Sequence, residues 1–179
     1  RLLGSGWLAL HASSVLGLAA CARDAARTGE PFATLSAAEG ATLRALAARI
    51  IPSDDGTPGA EEAGAAWFAD RILGSHLADM LGAIRDGLAD LDTRAVGRHG
   101  AAFASLDAAQ QDALVGDVAA SEFFEAARML VVLGTFSVPG LGGNRDGVGY
   151  TLLGVEHHAA YSPPFGWYDA EHARSAGGA

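Results

Sequence analysis

Lysine is missing from this sequence altogether, so its 12 basic residues are all arginine, set against 21 acidic residues for a net charge of −9. A chain with that balance lacks the clustered cations that a phosphate backbone demands, which excludes nucleic acid as a partner. Cysteine is almost absent as well. A lone Cys21 excludes an internal disulfide and any metal or iron–sulfur site assembled from several thiolates. Aromatic residues make up only 7% of the chain. What is plentiful is small: 39 alanines and 24 glycines among 179 residues, with half the chain apolar. Alanine loses no side-chain entropy in a helix, so this composition favours helices around a core of modest side chains.

Charge is unevenly distributed. Residues 1–22 hold Arg1 and no acid, whereas the remainder holds 11 arginines and 21 acids, so an apolar leader of +1 precedes an acidic body of −10. Leu2 to Ala22 form 21 residues without a charge. As a helix rising about 1.5 Å per residue they span about 30 Å, the thickness of a bilayer's hydrocarbon core. The positive-inside rule then keeps Arg1 in the cytoplasm and sets the body in a bacterial periplasm. Leu18-Ala19-Ala20-Cys21 also fits a bacterial lipobox, where the leader is removed and Cys21 is lipidated. The expected state is the other one, an uncleaved single-pass anchor in the bacterial inner membrane. Arg1 also fits the end of a twin-arginine export motif. Inside the leader, Trp7 suits a membrane interface or a helix contact. His11 is either a ligand to a pigment or haem in a neighbour, or a polar residue tolerated at a helix–helix contact.

The body reads as a succession of helices. Residues 23–35 are a polar linker with Gly29 and Pro31. Ser36-Ala37-Ala38-Glu39 is a capping box, followed by an apolar face of Leu43, Leu46, Ala47, Ile50 and Ile51 that Pro52 ends. After a turn over 52–58, Thr57 and Pro58 can open a second helix whose Ala60, Ala63, Gly64, Trp67, Phe68, Arg71 and Ile72 share a face. A third, from about His76, carries the cleanest stripe, from Leu77 and Met80 through Ile84, Leu88 and Leu91 to Ala95, and stops at Gly100. Asp107 and Gln110 form a second capping box. Ser121 opens a helix that is apolar on several faces and is therefore expected at the centre of the fold. Helices end near Ser137, and a glycine-rich, irregular C-terminal stretch follows.

Each chemistry-like cluster has a plainer reading. Asp54-Asp55 is either an acid/base or cation pair or a solvated turn between prolines. Glu156-His157-His158 with His172 has metal-ligand residue types but not helical metal-site spacing. Gly142-Gly-Asn144-Arg145-Asp146-Gly-Val-Gly149 lacks the Gly-Lys-Ser/Thr ending of a phosphate loop. It reads instead as a tight loop in which Asn144, Arg145 and Asp146 tie backbone groups together or present Arg145 to a partner. Tyr161, Phe165, Trp167 and Tyr168 surround Pro163 and Pro164, a composition suited to strapping along a partner or over the chain's own bundle. No nucleophile–base set stands out, and the chain is not expected to be an enzyme.

Several of these motifs together resemble the gluconate 2-dehydrogenase subunit 3 family. They are Thr34-Leu-Ser-Ala-Ala-Glu39, Ile50-Ile-Pro-Ser-Asp-Asp55 with Pro58-Gly-Ala60, Gly142-Gly-Asn-Arg-Asp-Gly-Val-Gly-Tyr150, and Pro163-Pro-Phe-Gly-Trp-Tyr-Asp169. The glycine-rich one is the most specific. Leu141 departs from the family, many members carrying an aromatic there. The resemblance implies a non-catalytic small subunit that escorts a flavin-bearing sugar or sugar-acid dehydrogenase subunit across the membrane through a twin-arginine leader. The resemblance also implies a multihaem cytochrome subunit that passes electrons on, with flavin and haem belonging to those partners and no cofactor expected in this chain.

The expected fold is all-α: an N-terminal transmembrane helix (1–22), a linker (23–35), a small periplasmic helical bundle (36–155) and a long irregular C-terminal tail (156–179). The expected function is that of a membrane-anchored accessory subunit binding a flavoprotein, a cytochrome or both. The alternative is the same domain recruited among the transmembrane subunits of another membrane complex, such as a photosynthetic reaction centre or cytochrome complex. Candidate partner-binding residues are Trp7, His11, Asn144, Arg145, Asp146, Tyr161, Phe165, Trp167 and Tyr168, with Cys21 as a candidate lipidation site.

Overall fold

A computed structural model describes residues 31–156 together with Glu171 and Arg174. Among these residues there are six α-helices and no strand: α1 (Ala37–Ile50), α2 (Ala65–Leu73), α3 (Leu81–His99), α4 (Ala108–Val118), α5 (Glu122–Phe136) and α6 (Val148–Leu153). The leader and the aromatic tail, with Trp7, His11, Cys21, Tyr161, Phe165, Trp167 and Tyr168, lie outside the described residues. Among the described residues no helix is long and apolar enough to cross a membrane.

Local chemistry sets the helix starts. At α1 the Ser36 hydroxyl accepts from Glu39 N–H at 3.3 Å, and the Glu39 carboxylate accepts from Ser36 N–H at 2.7 Å. Asp107 and Gln110 repeat the arrangement at α4, and the Ser121 hydroxyl caps α5 through Phe124 N–H. Each cap satisfies amides that the first helical turn leaves without a partner. Gly100, at φ +75°, stops α3.

The core forms where the apolar faces meet. Leu43 and Leu46 of α1, Leu73 of α2, Ile84, Leu88 and Leu91 of α3, Leu114 of α4 and Leu130 of α5 are all buried in one cluster that includes Phe103. Burying side chains of this size contributes about 1.5–3 kcal/mol apiece. Polar groups inside this core serve it. Asp92 of α3 accepts from the Thr42 hydroxyl and from Phe103 N–H, both at 2.8 Å, while the Gln111 side chain donates to Phe103 carbonyl at 3.0 Å. One aromatic turn is thereby tied to α1, α3 and α4 together.

The second helix begins later than the sequence suggests, at Ala65 rather than near Thr57. Residues 58–64 instead fold back on the end of α1, where Ala60 N–H donates to Ile51 carbonyl at 2.9 Å. Gly64, at φ +73°, separates this turn from α2. Glu62 holds the preceding turn closed, its carboxylate accepting from the Ser53 hydroxyl at 2.7 Å and from Gly59 N–H at 2.9 Å. The Ser53 hydroxyl, followed by the Gly59 amide, holds the Glu62 carboxyl below its ordinary value of 4.5. A carboxylate with a depressed folded pKa stabilises the fold above its unfolded pKa, and that stabilisation fades as pH falls through the folded value. Urea unfolding of the native chain and Glu62→Gln is therefore expected to show a native advantage near pH 6 that shrinks below about pH 4.5. An advantage independent of pH would contradict it.

The position of α5 also differs from expectation. Ala127, Leu130, Val131, Gly134 and Thr135 face inward, but Met129, Val132 and Leu133 are exposed. The helix borders the core along one face instead of running through it. The glycine-rich stretch after Pro139 is less irregular than its composition suggests, since it contains α6.

Candidate functional site

The most specific motif of the sequence sits where α2, α5 and α6 meet. α5 and α2 approach closely because Gly134 has no side chain: a Cβ there would lie 2.8 Å from the Ala65 Cα. The loop after α5 turns back into this junction. Asn144 N–H donates to Gly134 carbonyl at 2.5 Å, and Arg145 N–H donates to Ala63 carbonyl at 3.0 Å. The loop thus reads the backbone of α5 with one residue and of the turn before α2 with the next.

Asn144 is the hub. It is fully buried, adopts a left-handed conformation at φ +47°, and its side-chain oxygen accepts from Gly149 N–H at 2.6 Å. Asparagine tolerates this backbone region better than most residues, and its amide oxygen supplies an acceptor to the start of α6. Gly147 N–H closes the turn on Asn144 carbonyl at 3.0 Å. Gly149 lies against α5, where a Cβ would fall 2.1 Å from the Thr135 carbonyl oxygen. Gly149→Ala is accordingly expected to lower stability by about 1–3 kcal/mol, the usual effect of overfilling a close contact. Thermal unfolding followed by far-ultraviolet circular dichroism checks this, and an unchanged midpoint would refute the contact.

The three polar residues of the motif divide their roles. Asn144 faces wholly inward, Arg145 is half-buried, and Asp146 is exposed with φ +55°. Arg145 makes no ion pair among the described residues, whereas Arg44, Arg49, Arg85, Arg94, Arg98 and Arg128 each face a carboxylate. The Arg145 charge acts weakly on Glu62, adding to the hydrogen bonds that keep that carboxylate ionised. Asp54 and Asp55 lie exposed in the tight Asp54–Thr57 turn. Glu156 is exposed, and its companions His157, His158 and His172 fall outside the described residues. Among the described residues no group of three His, Cys, Asp or Glu side chains is arranged to hold a metal ion.

A second polar site has no counterpart among the sequence motifs. Asp70 of α2 is completely buried, and its carboxylate accepts from the amides of Ala33 at 2.8 Å, Thr34 at 2.9 Å and Leu35 at 2.8 Å. Phe32 stacks on Trp67 with ring centroids 5.1 Å apart, Arg44 covers the Trp67 ring, and Arg85 donates to Thr34 carbonyl at 2.7 Å. The last residues of the stretch read as linker are thus strapped onto α2. The available signal was a carboxylate within the run Ala65-Ala-Trp-Phe-Ala-Asp-Arg-Ile-Leu73, where an acid demands a partner.

Comparison with known proteins adds one match. The family model described as gluconate 2-dehydrogenase subunit 3 matches residues 37–156, from the first residue of α1 to just past α6. No curated protein and no solved structure matches the chain.

Proposed function

Given that this chain belongs to the gluconate 2-dehydrogenase subunit 3 family, we propose that it is a non-catalytic accessory subunit that binds and stabilises the large flavin-bearing subunit of a dehydrogenase complex. The observation that carries the reading is the extent of the match, which takes in every helix of the described bundle. The site chemistry is consistent with it. The polar groups of the most specific motif hold three helices in register, an arrangement suited to presenting a rigid surface. Flavin and haem would then reside in the partners. In this reading residues 2–22 anchor the subunit in the bacterial inner membrane, and the acidic body stands in the periplasm.

Purification of the tagged full chain from its native membranes in mild detergent tests the proposal. The expected companion is a flavoprotein whose preparation reduces an electron-accepting dye in the presence of a sugar or sugar acid. A pigment-bearing or quinone-reducing assembly without flavin would replace this partner with another membrane complex. Turnover by the isolated chain would overturn the accessory role. Intact mass of the same preparation tests the anchor: residues before Cys21 should be retained, and a diacylglycerol on Cys21 would refute retention.

A further inference from the structure

The sequence contains three Asp-Gly pairs: Asp55-Gly56, Asp86-Gly87 and Asp146-Gly147. Such a pair carries a latent reaction, because the glycine nitrogen lies one ring closure away from the preceding side-chain carboxyl carbon. Glycine has no Cβ to hinder the approach. Ring closure asks three things of the fold: a glycine N–H that no acceptor holds, room for the backbone to rotate, and access for water. The three pairs differ in all of these.

Asp86-Gly87 lies inside α3, where the helix ladder holds the glycine amide. The Phe123 ring also packs on Gly87, so closely that a Cβ there would fall 1.9 Å from it. In Asp146-Gly147 the Gly147 N–H donates to Asn144 carbonyl at 3.0 Å, within the loop that the buried Asn144 pins to α5. Asp55-Gly56 has neither restraint. Both residues are exposed, and a Cβ on Gly56 would meet no atom within 4 Å. The Gly56 N–H has no hydrogen-bond acceptor among the described residues. The turn is tied only at its ends, by Asp54 N–H to Thr57 carbonyl at 3.0 Å and Thr57 N–H to Asp54 carbonyl at 2.5 Å. Asp55 itself stands at φ +26°, which a residue with a Cβ adopts at a cost, so rotation out of the turn relieves strain.

We propose that Asp55 is a site of spontaneous succinimide formation and conversion to isoaspartate, singled out from the three pairs by the fold. The Gly56 nitrogen bonds to the Asp55 side-chain carboxyl carbon. Its proton and the hydroxyl of the protonated carboxyl leave together as water, closing an imide ring. Water then adds back at either imide carbonyl. Cleavage at the side-chain carbonyl restores aspartate. Cleavage at the main-chain carbonyl leaves Gly56 joined through the Asp55 side chain, with the former main-chain carbonyl as a free carboxylate. Composition is unchanged, but the main chain gains one atom inside the ring that the two Asp54–Thr57 hydrogen bonds close. This chemistry is independent of the accessory role.

Ageing the full chain at neutral pH in oxygen-18 water, folded and in concentrated urea, tests the proposal. Cleavage after arginine places the three pairs on separate peptides. Mass spectrometry then locates the label, and resistance to a protease that cuts before aspartate but not isoaspartate locates the isomer. In the folded chain residue 55 should hold at least about tenfold more isoaspartate and label than residues 86 and 146, the ratio given by a barrier difference of about 1.4 kcal/mol. In urea the three pairs should convert at similar rates, since helix and loop no longer hold their amides. Asp55→Glu, whose longer side chain closes the ring far less readily, should stop conversion at this position while its circular dichroism matches the native chain. Absence of isoaspartate at residue 55 of the folded chain, or equal amounts at all three pairs, would overturn the proposal. A preference for residue 55 that persists undiminished in urea would overturn the role given to the fold.

Discussion

Asp70→Ala is expected to lower the unfolding free energy by about 2–4 kcal/mol, because it removes the shared acceptor of three amides at once, one of them at the buried Leu35. The native carboxylate satisfies three consecutive amides, those of Ala33, Thr34 and Leu35, and it does so fully buried. Alanine leaves the Leu35 amide buried without an acceptor, at about 1–3 kcal/mol, while the part-buried amides of Ala33 and Thr34 lose a charge-assisted hydrogen bond that water replaces in part. Relaxation is limited because Leu35 is buried and Phe32 is stacked on Trp67. Domains of this kind have about 5–15 kcal/mol in total, so the variant should unfold at a markedly lower urea concentration. Asp70→Asn keeps one oxygen and should fall between the two. Urea titration measures both. A loss under about 1 kcal/mol for alanine would show that the strap contributes little to stability.

Asn144→Ala is expected to cost about 2–4 kcal/mol, for two separable reasons. Alanine cannot accept from the buried Gly149 N–H, a loss of about 1–3 kcal/mol. It also tolerates the left-handed backbone at φ +47° poorly, at about 1–2 kcal/mol. Asn144→Gly removes the first contribution only, because glycine adopts this conformation freely. Glycine should therefore be the milder substitution, and equal losses would assign the whole effect to the hydrogen bond. Asn144→Asp retains the acceptor oxygen but buries a carboxylate where the native amide stood. Its loss should be greater at pH 7 than near pH 4, where protonation removes the charge.

Helix existence was legible because it is written in local chemistry. The boxes Ser36/Glu39 and Asp107/Gln110, the Ser121 cap, the Gly100 stop and the Ile84–Leu88–Leu91–Ala95 stripe act within a few residues and appear as expected. The features that differ from expectation are those decided by a distant neighbour. α2 starts at Ala65 because Ala60 N–H bonds to Ile51 carbonyl at the end of α1. α5 is apolar on more than one face, and hydrophobicity alone does not distinguish a core helix from one with an outward stripe. The role of Asp70 was hidden because its three partners lie more than thirty residues earlier in the chain. In the glycine-rich motif the residue types pointed correctly to a tight loop, while the inward orientation of Asn144 and the outward one of Asp146 emerged only with the backbone.

The Asp70 strap has a mechanical consequence. Anything pulling on the chain ahead of Pro31, such as a leader drawn through a translocation channel or held in a bilayer, applies its force at the strap. The Phe32–Trp67 stack meets that force first, and behind it three hydrogen bonds converge on one carboxylate. The force is delivered to the middle of α2, a helix enclosed by its neighbours, rather than to the first turn of α1, where fraying is easiest. Traction from the N-terminal side is therefore borne by the body of the bundle, and α1 is shielded from being peeled away.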